Sequence, residues 1–285
     1  MRHFTCLALI TRVIMLASCS KDAIELTSQD NEEEYVTLNF TPYTVESLTR
    51  GATSSISSVA SHLDVWIING TDTMTFHQTS SSDAFGTISV VLKRNEDYQM
   101  IALAHSRTGN ATFSNNVLAY PEDKVGDSFL CCGSVLGGEA SNNYIMKRIV
   151  GQFRLEINDV IPEEVTQMKF TVKQTGTRME FNGLLMSPTN IIDREILYSS
   201  FTRNNTGGGA FTLSIIPTLQ NTSCNFDIQV DALTAEDEVY LTRTLTDVPI
   251  KSNYKTTYAG KFFTGSMSGS FVTDDEWESF DAVEY

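Results

Sequence analysis

The sequence predicts an all-β protein built as two tandem β-sandwiches. Three observations carry that prediction. Apolar residues recur with a period of two in many short runs, as in Val36, Leu38 and Phe40 or Ile88, Val90 and Leu92. Gly- and Asn-rich pairs separate those runs, among them Asn69-Gly70, Gly109-Asn110, Gly137-Gly138 and Asn182-Gly183. No long segment has a helical period, and only short turns such as that over residues 162–167 look helical. Many short strands at regular spacing read as sandwiches rather than as a sheet flanked by helices.

Taken in order, the chain opens on a leader. Arg2 and His3 precede apolar stretches at residues 7–10 and 13–16, and Leu16-Ala17-Ser18-Cys19 follows. A positive start, a short apolar segment and small residues before a cut are the plan of a secretory signal. A Cys directly after Leu-Ala-Ser resembles the bacterial lipobox, so residues 1–18 are expected to be removed and Cys19 to be acylated (palmitate among its chains). Two or more acyl chains anchor a protein stably. Arg12 departs from the pattern by interrupting the apolar segment. Residues 19–34 read as an acidic linker, polar and without apolar periodicity, a flexible stalk between lipid and folded body.

The β pattern begins at Tyr35. Leu63, Val65 and Ile67 alternate with Asp64, Trp66 and Ile68, and the pattern returns at Met168, Phe170 and Val172. A strongly alternating strand is predicted over residues 149–157, and others over 226–233 and 239–245. About seven strands precede a boundary placed near residues 142–144. The expected division is therefore an N-terminal sandwich over 35–145 and a C-terminal one over 146–265, each of ordinary domain size. Residues 266–285 are left as an acidic tail or a donor strand: Ser266 to Ser270 read as a flexible joint, and Phe271, Val272, Trp277 and Phe280 are apolar points in an acidic run.

With 20 Lys and Arg against 35 Asp and Glu, the formal net charge is −15. Such a field repels polyphosphates, so no nucleic-acid partner is expected. Beyond residue 18 no run of 18 apolar residues exists to span a bilayer as a helix. Cys131 and Cys132 should point to opposite faces of a strand, and either could pair with Cys224 or stay a buried thiol.

The search for chemistry finds no catalytic residue, no metal ligand set and no cofactor motif, so no enzyme is expected. His62, His77 and His105 stand in no H-E-x-x-H and beside no Cys pair. Gly133-Ser134-Val135-Leu136-Gly137 has its serine one place early for a nucleophile elbow. Gly207-Gly208-Gly209 lacks the strand–turn–helix context of a phosphate loop and reads as a hairpin.

Several blocks, in this order, carry a resemblance. A lipobox and acidic stalk lead to Thr49-Arg50-Gly51-Ala52; then comes Met146-Lys147-Arg148-Ile149-Val150-Gly151-Gln152-Phe153, leading to Ile157-Asn158-Asp159-Val160-Ile161-Pro162. Near the end stands Val248-Pro249-Ile250-Lys251-Ser252-Asn253-Tyr254-Lys255-Thr256-Thr257-Tyr258-Ala259-Gly260. Together these resemble the fimbrillin-type lipoproteins of Bacteroidetes, the subunits of type V pili and their anchor-type relatives. The resemblance implies transthyretin-like sandwiches, a lipid-anchored outer-membrane and cell-surface (fimbrial) location, and a structural or adhesive role. It also implies assembly by strand exchange with other pilus subunits after a protease removes the first strand. Arg50 and Gly51 are then the candidate cut, Val36, Leu38 and Phe40 the removable strand's inward face, and Phe271 and Trp277 donor residues. The alternative within the same resemblance is an uncleaved anchor, or a surface lipoprotein binding a host protein or glycan.

Overall fold

The computed structural model describes residues 32–43, 55–183, 185–217 and 223–265, and the backbone of 267–270. The architecture is all-β: among the described residues there are seventeen strands and two 3-10 turns, at Ile56–Ser58 and Pro121–Asp123. The first large sheet has seven strands. In chain order they are β1 (Glu33–Pro42), β2 (His62–Asn69), β3 (Asp72–Thr79), β4 (Thr87–Lys93), β5 (Asp97–His105), and, after the short β6 (Thr112–Ser114) and β7 (Val117–Ala119), β8 (Ser128–Leu136) and β9 (Ser141–Arg148). Their spatial order is β3-β2-β5-β8-β9-β1-β4.

This sheet folds over on itself because β9 changes partner along its length. Its last residues pair with β8 through Leu130↔Lys147 and Phe129↔Arg148, while residues 141–146 pair with β1. Inward residues of β1 and β4 thereby face those of β2, β5 and β8. One core results, holding Leu38, Phe40, Val65, Ile88, Met100 and Phe129 with their neighbours.

The C-terminal half adds β10 (Gly151–Ile157), β11 (Gln167–Asn182), β12 (Leu185–Tyr198), β13 (Gly209–Ile215), β14 (Cys224–Leu233), β15 (Val239–Ile250), β16 (Lys255–Gly260) and β17 (Met267–Ser270). They form a sheet β13-β10-β16-β17 and a second sheet β15-β14-β11-β7-β6, with β12 on the other edge of β11. Phe153, Leu155, Phe170, Val172, Ile228 and Val230 share one core between these sheets.

A third apolar cluster lies between these two. Trp66, Ile101, Leu103 and Leu130 meet Met179 and Phe181 from the far half of β11, together with Leu118 and Tyr120. β11 reaches there because it is 16 residues long and pairs through Arg178–Glu180 with β7. Period-two reasoning makes β2 half-exposed, yet its pattern is buried on both faces from Leu63 to Ile67. The second buried face is the one turned to β11, which local alternation does not reveal.

Two other expectations change. Eight strands, against about seven expected, precede the proposed boundary, and β9 (Ser141–Arg148) runs across it; β6 and β7 are too short to show a period. Residues 267–270 are no loose joint but strand β17, antiparallel to β16 from Gly260↔Met267 to Thr257↔Ser270. Asp159 fixes the approach to it by accepting from the backbone N–H groups of Phe262, Phe263 and Thr264 at 2.8, 2.8 and 2.7 Å. The hairpin before β13 is likewise held in place: Asn204 Oδ1 accepts from Thr206 and Gly208 N–H, and a side chain at Gly208 would meet the Ile157 carbonyl. Cys131 and Cys132 are free thiols, one of the two alternatives the sequence left open. Cys131 and Cys132 do face opposite sides, towards the first and third clusters, and burial raises their pKa values to about 11 and about 12.

Candidate strand-exchange site

β1 forms as a strand because Val36, Leu38, Phe40 and Pro42 alternate with Tyr35, Thr37, Asn39 and Thr41, and the first set is buried. Its position gives the alternation its meaning. β1 is inserted between β4, to which it runs antiparallel from Glu33↔Lys93 to Asn39↔Thr87, and β9, to which it runs parallel from Thr37↔Ser141 to Pro42↔Met146. Among the described residues β4 has no other strand partner. Taking β1 away would leave a slot with unpaired main-chain groups on both walls and an apolar floor.

Both ends of the strand are tied down. Arg94 N–H donates to the Glu32 carbonyl and Tyr43 N–H to the Met146 carbonyl, each at 2.8 Å. Between them, Phe40 N–H donates to the Gly86 carbonyl at 2.8 Å and Thr37 N–H to the Ala140 carbonyl at 3.1 Å. On the outer face Asn39 bridges both walls: its Nδ2 donates to Ser141 Oγ and Asn143 Oδ1, and its Oδ1 accepts from Thr87 Oγ1. Phe40 stacks on Tyr144, whose hydroxyl donates to the Ser134 carbonyl at 2.8 Å.

Gly86 opens β4 with a φ of +95°, and a Cβ there would stand 2.8 Å from Ile56 Cγ2. Glycine is required at that close approach. Ile56 itself is buried in the same core as β1.

The structure thus brings Val36, Leu38 and Phe40 together on one buried face. Cys19, Arg50, Gly51, Phe271 and Trp277 lie outside the described residues.

A polar cluster went unseen in the sequence. Asp64 on β2 is fully buried, and its carboxylate accepts from His77 Nδ1 at 2.5 Å, His105 Nε2 at 2.9 Å and Ala111 N–H at 2.8 Å. His105 Nδ1 accepts from Arg107 N–H at 3.2 Å, which assigns the ring proton to Nε2. His62 stacks on His105 with centroids 5.3 Å apart, and its pKa is lowered by burial and then by His105. Pairings Asp64↔His77 and His62↔His105 create the cluster, and no spacing in the sequence announces them. Among the described residues no group of three or more His, Cys, Asp and Glu side chains is arranged to hold a metal ion.

No family model matches the chain, and no curated protein does. Solved structures do. A Bacteroides ovatus protein assigned as an adhesin overlays with a TM-score of 0.53 at 11% identity, covering 88% of this chain and 98% of its own. The fold is shared. A Bacteroides thetaiotaomicron protein also assigned as an adhesin overlays at 0.52 and 10% identity, covering 89% and 98%. The fimbrial anchor protein Mfa2 from Porphyromonas gingivalis overlays at 0.49 and 9% identity, covering 89% and 99%.

Proposed function

We propose that this protein is a lipid-anchored surface subunit of a type V pilus, with a structural or adhesive role, whose first strand is a replaceable part. The observation that carries this reading is the seat of β1: an apolar strand between two walls, one of which has no other partner among the described residues. The residue blocks that resemble fimbrillin-type lipoproteins support it, and so does a fold shared with proteins assigned as adhesins. Cleavage after Arg50 would release β1 while leaving Ile56 in the core on the body side. An incoming strand would have to copy β1's direction, antiparallel to β4 and parallel to β9, and supply apolar residues at four alternate positions. Main-chain bonding would then give affinity and the pockets specificity. Division into sandwiches over 35–145 and 146–265, acylation at Cys19 and an outer-membrane location belong to the same proposal. It contains no enzymatic step.

One sequence observation favours the uncleaved, anchor or ligand-binding alternative. In the phase that puts Phe271 and Trp277 on one face, Thr273 and Asp275 fall at the positions between them. A carboxylate in an apolar slot costs several kcal/mol, so this tail is a poor copy of β1 and the donor is better sought on a different subunit. The N-terminal residue of protein taken from the native cell surface separates the readings. Gly51 supports strand exchange, and an acylated Cys19 with an intact chain supports the anchor. Protein that stays on the membrane unchanged after Cys19→Ala contradicts the lipid tether of both.

A further inference from the structure

We propose that the cleft between β12 and the 3-10 turn at Pro121–Asp123 binds the oxyanion of an acidic saccharide, a carboxylate or sulfate on an otherwise neutral sugar. This goes beyond the strand-exchange reading and stands without it.

The cleft, about 630 Å³, lies within the range of small-molecule sites, roughly 300–1,000 Å³. Two guanidiniums converge in it. Arg194 on β12 is 5% exposed and donates from Nη1 to the Ser214 carbonyl at 2.8 Å and from Nη2 to the Val125 carbonyl at 3.1 Å. Arg107 donates to that same Val125 carbonyl from Nε at 3.1 Å and Nη2 at 2.9 Å. One oxygen with two lone pairs thus meets three N–H groups, and each guanidinium keeps further donors unused. Neither arginine has a carboxylate partner among the described residues.

That is anomalous for this molecule. The other two buried charged residues outside histidine are paired: Asp64 with His105 and His77, and Asp231 with Lys169 and the Thr242 hydroxyl. Asp127, two residues beyond Val125, is taken up by Arg148 at 2.9 and 3.1 Å. The acids around the cleft are likewise engaged: Glu122 with Lys124, Asp123 with Arg178, Asp193 with Lys173 and Glu195 with Lys169. Burial, and next the charge of Arg107, lower the Arg194 pKa to about 10, the direction expected for an uncompensated cation. Among the described residues these two cations are left together without an acid, and the counter-charge we assign to them is an external one.

The rest of the lining narrows the ligand. Ile192 and Leu197, 43% and 52% exposed, also line the cleft with aliphatic surface, which suits the C–H face of a sugar ring. A net charge of −15 repels polyanions, so a single anionic group is favoured over an acidic polypeptide or a polyuronate.

Calorimetric titration of the full chain with methyl glucuronide, galactose 6-sulfate and neutral methyl glucoside tests the assignment. One acidic sugar is expected to bind at least tenfold more tightly than the glucoside, and which one identifies the oxyanion. Arg107→Gln should weaken it tenfold or more with an unchanged melting temperature. Gly126→Ala should weaken it too, since its Cβ would stand 2.9 Å from Arg107 Cγ and displace the guanidinium without removing charge. Equal or absent binding of acidic and neutral sugars, an unaffected Arg107→Gln, or binding only of inorganic sulfate or a glutamate peptide would overturn it.

Discussion

Phe40 on β1 stacks against Tyr144 on β9, with ring centroids 5.7 Å apart and planes inclined by 21°. The two are direct partners in the parallel register, so this contact reads the seating of β1 residue by residue. Phe40 is 3% exposed, whereas Tyr35 on the other face of the same strand is 77% exposed. Phe40→Ala should therefore cost about 3–5 kcal/mol in denaturant unfolding through the cavity it leaves. Tyr35→Ser should stay within about 0.5 kcal/mol. Equal effects would mean that β1 is not seated as described.

Asp64 tests the buried polar cluster. Asp64→Ala strands the donors of His105, His77 and Ala111 together and should cost about 3–5 kcal/mol. Asp64→Asn keeps the shape but gives up the charge-assisted bonds, and should cost less. Chemical denaturation of the two variants ranks them, and a neutral Asp64→Ala would refute the cluster's structural role.

Asp159 gives a pH dependence. Burial pushes its pKa up, but hydrogen bonds from the Thr264 and Phe263 backbone, the Thr264 hydroxyl and the Phe262 backbone outweigh it and leave the carboxyl below its usual value. A depressed folded pKa contributes stability that is present above the unfolded value, about 4, and is lost as pH falls through the folded one. The melting temperature should thus fall on acidification below about pH 4, and Asp159→Asn should flatten that part of the profile while lowering stability at pH 7. An identical profile in the variant would contradict the assignment.

What was legible in the sequence was what local alternation encodes. Val36, Leu38 and Phe40, or Phe153 and Leu155, announce their buried face because each lies on a strand with one wet side. Trp66 and Ile101 do not, because their face of the sheet is buried by Met179 and Phe181 of β11, more than seventy residues away in the chain. The Asp64 cluster and the Arg107–Arg194 pair were invisible for a related reason. Strand pairing and the Val125 carbonyl bring those residues together, and neither leaves a spacing to read. β17 was missed because Ser, Gly and Met at residues 266–270 have turn-like composition, whereas pairing to β16 decides their conformation.

The central claim is that β1 is a structural yet replaceable strand. Burying Val36, Leu38 and Phe40 contributes about 1.5–3 kcal/mol each, comparable in sum with the roughly 5–15 kcal/mol stability of a domain. The direct measurement is the melting temperature of protein cut after Arg50 and freed of the released fragment, with and without a peptide spanning residues 34–42. A large fall on removal, reversed by that peptide but not by one carrying Ser in place of Val36, Leu38 and Phe40, is the predicted result. An unchanged melting temperature after removal would contradict the account.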